Sequence, residues 1–232
     1  MTLGSACDSI GGAVIGSDGR LTARPRKDVK TSQTGQIMLG LDRERDAILQ
    51  IPKNAQSPLP LFVMLHGATQ NAERMFRYLG TTHEEAGIAV LAPNSRDTTW
   101  DAVRNQNFGE DVAYLNRALE RVFETTAIDP ARVSLGGFSD GASYALSLGL
   151  INGDFFKSIV AFSPGFVIRG DLHGQPRIFI SHGTHDHILP IDDCGRRIAA
   201  RLKSYGYDVT FREFDGDHEI PAAVAREGLS WV

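Results

Sequence analysis

Cysteine is scarce in this sequence, because the 232 residues include only Cys7 and Cys194. Two cysteines are too few for a disulfide framework, and their separation along the chain excludes a local metal clip. We therefore expect two free thiols without a chemical role, in a protein that works in a reducing compartment.

The sequence also lacks a basic stripe and a long hydrophobic run. The formal net charge is −4 and the lysines and arginines are scattered, which argues against a nucleic-acid partner. No apolar run approaches the roughly 20 residues that cross a bilayer, so membrane insertion is not expected. The first basic residue, Arg20, comes too late to start a signal peptide, and the segment LGSAC has no hydrophobic stretch of a lipoprotein leader before it. These absences predict a cytoplasmic location.

Strand-like and helix-like segments alternate along most of the chain. Apolar runs such as LPLFVMLHG, GIAVLAPN and PRIFISHG end at glycine, proline or asparagine and are typical of buried strands. Helical patterns lie between such runs, over residues 71–79, 109–125, 141–152, 192–205 and 221–231. This succession predicts a single α/β domain over residues 1–232, with a mostly parallel central sheet, helices on both faces and no large lid. Residues 1–35 are expected to be irregular.

A serine between two glycines lies at one predicted strand-to-helix junction. Residues 137–141, GFSDG, match the pattern G-x-S-x-G. A turn this sharp strains its central residue and leaves room only for glycine two positions away. It exposes the hydroxyl at the positive end of the next helix, so Ser139 is the candidate nucleophile. Because the pattern also occurs by chance, the assignment requires a base and an acid elsewhere.

The sequence offers both groups in the order nucleophile, acid, histidine that G-x-S-x-G hydrolases use. Asp186 follows the strand-like PRIFISHG, and His218 follows the strand-like VTFREF. Asp186 would hold the ring of His218, which would deprotonate Ser139 near neutral pH, as an imidazole with a pKa of about 6.5 does. The rival acids are Asp192, Asp193, Asp215 and Asp217. Helix capping explains the first two and turn formation the last two, so Asp186 is preferred.

Three closely spaced histidines suggest a metal site as an alternative. His182, His185 and His187 belong to a residue type that binds zinc, but their spacing does not match H-E-x-x-H and no remote ligands are evident. We expect no metal and no other cofactor. His83 and His173 lie in polar surroundings and are interpreted as surface residues.

The loop after LPLFVML is the candidate oxyanion site. Acyl transfer needs N–H donors for the oxyanion, each worth about 3 kcal/mol of barrier. The N–H of Ala68 or of Thr69 could point at the oxyanion beside that of Asp140, while His66 braces the loop. Thr69 and Gln70 are also candidate substrate contacts.

Four motifs together, LHGATQNAERMF, GGFSDGASYAL, HGTHDHILPID and GDHEIP, resemble those of serine esterases of the α/β-hydrolase superfamily. The likeness spans residues 59–231 and is closest to the phospholipase/carboxylesterase group, which overlaps with dienelactone-hydrolase-like and poly(hydroxyalkanoate) depolymerase-like esterases. It implies an α/β-hydrolase fold, a triad of Ser139, Asp186 and His218, and oxyanion donors at Ala68 and Asp140.

Two departures from these families bear on the chemistry. The carboxylesterase group often has glutamine after the nucleophile, where this chain has Asp140. A carboxylate that faced the oxyanion would oppose its charge, so the Asp140 side chain is expected to point away. Dienelactone hydrolases use cysteine as the nucleophile, and Ser139 argues against that reaction.

The segment SRDTTWDAVRNQNF is long enough to line a pocket mouth. Trp100 and Phe108 are its candidate acyl contacts, with core packing as the equal alternative. Without a lid, the expected function is that of a serine carboxylesterase acting on short soluble acyl esters, as a monomer or a homodimer. The alternatives are a lysophospholipase or acyl-protein thioesterase, a peptidase or acyltransferase with the same triad, a metal-dependent hydrolase, and a non-catalytic binding protein.

Overall fold

The computed structural model describes residues 18–54 and 56–232, so Cys7 lies outside the described residues. Residues 18–34 contain neither helix nor strand. The strands are β1 (Gly35–Met38), β2 (Ala47–Ile51), β3 (Leu59–Leu65), β4 (Ala89–Pro93), β5 (Ile128–Phe138), β6 (Ser158–Phe162), β7 (Arg177–Gly183) and β8 (Val209–Phe214). The helices are α1 (Ala72–Leu79), α2 (Thr82–Glu85), α3 (Asp101–Asn105), α4 (Glu110–Thr125), α5 (Asp140–Ile151), α6 (Arg197–Ser204) and α7 (Ala222–Leu229).

These eight strands form one sheet in the order β1-β2-β4-β3-β5-β6-β7-β8. The pairs β1–β2 and β2–β4 are antiparallel, and the strands from β3 to β8 run parallel. The predicted mostly parallel sheet is therefore confirmed. Because parallel strands end at the same edge, the loops after β3, β5, β7 and β8 meet there, and these loops carry the candidate site residues.

Strand alternation divides the core between the two faces of the sheet. All seven residues of β3 are buried. Leu61, Val63 and Leu65 join the cluster that includes α4 and α5, whereas Phe62 and Met64 join the cluster that includes α1 and α7. Successive side chains of a strand point to opposite faces, so helices cover both faces as predicted.

Helices α4 and α5 differ in how they are buried. The predicted apolar stripe of α4 is buried along its length, at Val112, Leu115, Leu119, Val122 and Phe123. In α5, by contrast, every residue from Gly141 to Ile151 is buried. A helix that is enclosed on all sides is held firmly by its neighbours, and α5 begins directly after Ser139.

The sequence patterns did not predict three short elements. Strand β1 is half exposed at the edge of the sheet, and α2 and α3 have four and five residues, too few to show a periodic pattern. The predicted helix over 192–205 begins as a π-helical turn, Asp192–Arg196, before it continues as α6. Among the described helices, none has the length and apolar character needed to cross a bilayer.

Candidate active site

The turn between β5 and α5 holds Ser139 in a strained conformation. Its φ is 57° and its ψ is −119°, in a region that favours glycine. A Cβ on Gly137 would overlap the backbone of Gly141, and a Cβ on Gly141 would overlap the carbonyl of Leu65. The Ser139 N–H donates to the carbonyl of Phe162 at 2.9 Å. Both positions therefore require glycine, because backbone atoms lie where a Cβ would be. These contacts fix the turn against β3 and β6.

Asp186 and His218 meet at the same edge of the sheet. The buried Oδ2 of Asp186 lies 2.7 Å from Nδ1 of His218. The Oδ1 atom accepts hydrogen bonds from the N–H groups of Ile188 and Leu189, at 3.0 and 2.8 Å. The imidazole of His218 packs on the ring of Phe138, with 4.8 Å between centroids. The carboxylate therefore holds an imidazole beside the residue that precedes Ser139.

The hydrogen bond expected between Ser139 and His218 is not formed in this structure. Within the described part of the chain, the hydroxyl of Ser139 has no hydrogen-bond partner, and Ser139 keeps 9 % of its surface exposed. Such hydrogen bonds are often long or absent without substrate and tighten once it binds. The structure thus shows one of the two contacts that a Ser-His-Asp triad needs.

The structure gives other surroundings to the four rival acids, Asp192, Asp193, Asp215 and Asp217. Asp192 pairs with Arg196 at 2.8 Å, and Asp215 pairs with His185 at 3.2 Å. Asp217 accepts the backbone N–H of His218 and that of His187, which lies on the loop of Asp186. These hydrogen bonds lower the pKa of the Asp217 carboxyl. Asp193 is exposed and has no ion pair among the described residues. Among the described residues, none of the four forms a hydrogen bond or an ion pair with the His218 ring, whereas Asp186 does.

A second histidine reaches Asp186. Nε2 of His182 lies 2.7 Å from the carbonyl oxygen of Leu189 and 3.2 Å from Oδ2 of Asp186. Because both neighbours are acceptors, the proton belongs on Nε2, and burial lowers the pKa of the imidazole, which keeps it neutral. Sequence reasoning considered His182 only as a metal ligand. Its position at the end of β7, four residues before the candidate acid, was the available signal.

The loop after β3 lies against the nucleophile. A Cβ on Gly67 would lie 3.3 Å from the Cβ of Ser139. The N–H of Thr69 donates to the carbonyl of Thr98 at 2.7 Å, so Thr69 is not a free donor. The N–H of Ala68 has no acceptor in the described chain, and that of Asp140, at the first position of α5, has no acceptor within the helix. Ala68 and Asp140 are therefore the two candidates left with free N–H groups.

His66 braces this loop, as predicted. Its Nδ1 lies 2.7 Å from the carbonyl oxygen of Gly67, and its Nε2 accepts the N–H of Ser95 at 3.0 Å. The indole N–H of Trp100 donates to the carbonyl of His66 at 2.8 Å. Burial lowers the pKa of His66 to about 4, so the ring is neutral and both its nitrogens are engaged.

The remaining polar candidates have defined partners. The Thr99 hydroxyl donates to Oδ2 of Asp140 at 2.7 Å and holds this carboxylate against the segment after β4. The amide nitrogen of Gln70 lies 3.3 Å from the hydroxyl of Tyr78, whose ring contacts Phe138 with 5.2 Å between centroids. The exposed Thr69 donates its hydroxyl to the carbonyl just before it. Gln70 is thus connected to the serine turn through Tyr78.

Three expectations about side-chain exposure need correction. Trp100 and Phe108 are 0 % and 5 % exposed and both contact the ring of Tyr144 in the core, so in this conformation they pack rather than line a pocket mouth. The interpretation of His83 as a surface residue is wrong, because it is buried near Phe76. Polar neighbours along the sequence did not reveal that the side chain faces inward.

This architecture, a parallel sheet with a strained serine turn and an Asp–His pair at the same edge, is that of an α/β-hydrolase. Solved structures share the fold: the crystal structure of esterase PE8 matches with a TM-score of 0.65 and 22 % identity, over 79 % of this chain and 95 % of that one. The chain belongs to the phospholipase/carboxylesterase family, whose model matches residues 40–226. The family resemblance drawn from the four motifs is confirmed.

Curated relatives are similar over part of their length. A probable feruloyl esterase C of Aspergillus flavus is 29 % identical over 159 residues, which are 64 % of this chain and 57 % of that protein. The acyl-protein thioesterase 1 of Gibberella zeae is 28 % identical over 112 residues, which are 44 % of this chain and 47 % of that protein. This chain thus spans about half the length of these two relatives.

Proposed function

We propose that this protein is a serine carboxylesterase that hydrolyses short-chain acyl esters through an acyl-enzyme on Ser139. The 2.7 Å contact between Asp186 and His218, beside the serine turn, carries the proposal. Membership of the phospholipase/carboxylesterase family and similarity to a feruloyl esterase support it.

The chemistry assigned to the three residues balances over two half-reactions. Oγ of Ser139 attacks the ester carbonyl while Nε2 of His218 takes the hydroxyl proton. His218 then gives this proton to the leaving alcohol, and the acyl group stays on the serine. Water repeats the attack with His218 as base, which releases the acid and restores Ser139. Asp186 keeps the proton on Nδ1 of His218 and stabilises the imidazolium.

The two free N–H groups are the proposed oxyanion donors. Those of Ala68 and Asp140 flank Ser139, one from the loop after β3 and the other from the start of α5. Each such donor lowers the barrier by about 3 kcal/mol. His66 acts as a positioning residue for this loop, and His182 as a positioning residue for Asp186.

The proposed substrate contacts do not include Trp100 and Phe108, which pack in the core. Ile188, on the loop that carries Asp186, is an apolar side chain with 68 % of its surface exposed. We assign it, with Thr69 and Gln70, to the rim that meets the acyl or alcohol group. The similarity to a feruloyl esterase adds esters of aromatic acids to the short aliphatic ones as substrates to test.

A panel of esters tests the proposed function. We expect the parent protein to hydrolyse p-nitrophenyl acetate and butyrate, and the Ser139→Ala variant to lose about 10⁴-fold or more in kcat. Methyl ferulate and a butyryl thioester in the same panel separate an aromatic-acid esterase and a thioesterase from a short-chain esterase. Equal rates for the parent and Ser139→Ala would overturn the proposal.

The similarity to acyl-protein thioesterase 1 favours thioester hydrolysis as the second candidate function, on the same three residues. A cytoplasmic location, a monomer or homodimer, and the lack of a nucleic-acid partner remain predictions. The buried free thiol of Cys194 is compatible with a reducing compartment.

A further inference from the structure

An open apolar groove lies beside the C-terminal end of α5, whereas the serine turn precedes the first residue of this helix. It is bounded by α6 and by the segment 166–172, which follows β6, and its volume is about 740 Å³. Phe166, Leu172 and Tyr205 line it and are among the most exposed large hydrophobic side chains of the described chain. Both the volume and the apolar lining are in the range of small-molecule sites.

Three arginines line the same groove. Arg169 comes from the segment 166–172, and Arg197 and Arg201 come from α6. In the described chain, no carboxylate lies within 4.0 Å of any of them, although most other ion pairs of the protein are formed at 2.6 to 3.2 Å. The sequence predicted scattered basic residues, but the fold gathers these three around apolar surface, in a chain with a net charge of −4.

The groove extends along α5 away from the candidate active site. Leu150, which lines it, is 11 residues after Ser139 in the chain, and at 1.5 Å per residue along α5 this places it about 16 Å away. Between the two regions the chain after β6 is fixed to α5, because the hydroxyls of Ser143 and Ser147 accept the N–H groups of Gly165 and Ile168 at 2.9 Å. The wall of the groove is thus held in place.

We propose that this groove binds a small amphiphilic carboxylate. The apolar lining would cover a hydrocarbon chain or ring, and the arginines would hold the carboxylate through charge-assisted, bidentate hydrogen bonds. Arginines without acidic partners, on apolar surface, are complementary to an anion with an apolar body. This site does not depend on the chemistry of Ser139.

Binding of decanoate to the intact protein tests the site, measured by isothermal titration calorimetry at low ionic strength. We compare the parent with the triple variant Arg169→Gln, Arg197→Gln, Arg201→Gln. The matched control is Arg43→Gln, Arg121→Gln, Arg226→Gln, which removes the same charge at three exposed arginines outside the groove. All six side chains are exposed, so both variants should fold, which thermal unfolding checks.

We expect the groove variant to bind decanoate at least tenfold more weakly, and the control variant to stay within about twofold of the parent. Decanamide, which lacks the charge, should bind the parent at least tenfold more weakly than decanoate. Three results would each overturn the proposal: no decanoate binding to the parent, equal losses in both triple variants, or dimerisation of the parent that the groove variant abolishes. Binding of the parent to anionic vesicles, without binding to decanoate, would also overturn the proposal and would indicate a membrane contact instead. Because no turnover is measured, an inactive esterase would leave this test unaffected.

Discussion

The dipeptide His-Gly occurs at the ends of two parallel strands, and the two histidines have different hydrogen bonding. At the end of β3, His66 uses both ring nitrogens, with Nδ1 on a carbonyl oxygen and Nε2 on a backbone N–H. At the end of β7, His182 directs Nε2 at the Leu189 carbonyl and at Asp186, and its Nδ1 has no partner in the described chain. Both rings are buried and have lowered pKa values.

The comparison shows that one local pattern can support two different parts of a site. His66 is a neutral ring that accepts at Nε2 and fixes the loop of the proposed oxyanion donors. His182 is a neutral ring whose Nε2–H is directed at Leu189 and at Asp186, the proposed acid. The tautomer follows from the groups that surround each ring and not from the dipeptide.

The largest effect should come from the carboxylate on which His182 and His218 converge. The substitution Asp186→Asn should lower kcat about 10⁴-fold with little change in KM, because an amide no longer enforces the required tautomer of His218. Steady-state hydrolysis of p-nitrophenyl butyrate measures it. The control Asp193→Asn, at an exposed carboxylate, should leave kcat within twofold. A small loss of kcat in Asp186→Asn would contradict the assignment of Asp186 and indicate that another residue is the acid.

A smaller loss should follow from breaking the brace at β3. In His66→Asn the acceptor for the Ser95 N–H disappears, and displacement of the oxyanion loop by about 1 Å costs roughly 100-fold in kcat. The same ester assay measures the loss, with the exposed His173→Asn as control. Activity within twofold of the parent would contradict the role of His66.

The brace at β7 should have a weaker and different effect. Removing the N–H near Asp186 takes one hydrogen-bond donor from the carboxylate, which then attracts the imidazolium of His218 more strongly. His182→Asn should therefore lower kcat about tenfold and move the acid limb of kcat/KM to higher pH. His182→Gln, whose amide nitrogen can replace Nε2, should keep the limb near that of the parent. Identical pH profiles for both variants and the parent would contradict this positioning role and indicate that His182 contributes only through packing.

Stability should fall as the pH is lowered from 7 to 5. The lowered pKa values of His66, His83 and His182 mean that the unfolded chain takes up protons first, so their contribution is present above about pH 6.5 and is lost below it. His66 alone would lose about 2 kcal/mol. Burial raises the pKa of Asp111 to about 6, which opposes this by about 1 kcal/mol, since its contribution is lost as the pH rises.

Urea unfolding at pH 7 and pH 5 measures this dependence. His83 is buried beside Phe76, so replacing it with an apolar side chain in His83→Leu should reduce the loss between the two pH values. His173→Leu, at an exposed position, serves as the control. A parent protein that is more stable at pH 5 than at pH 7 would contradict the assignment of three buried neutral rings.

The sequence was most informative where a feature depends on neighbouring residues. The serine turn could be predicted because its glycines and its nucleophile lie within five residues, and the parallel sheet because its strands are nearly continuous apolar runs. The bounds of α4 and α5 came out within one residue, since their helical patterns begin at Gly109 and just after Ser139.

Features that depend on distant contacts could not be predicted. The tether from Thr99 to Asp140 arises only when separate loops meet. Trp100 looked like a pocket residue because an aromatic side chain suits both a pocket and a core. The arginines of the groove come from two segments that α5 brings together.

The central claim is that His218, held by Asp186, activates Ser139. Labelling with diisopropyl fluorophosphate, with the modified peptide identified by mass spectrometry, tests it most directly. The account predicts one adduct, on Ser139, and labelling at least 100-fold slower in His218→Ala. An adduct on another residue, or labelling of His218→Ala at the rate of the parent, would contradict it.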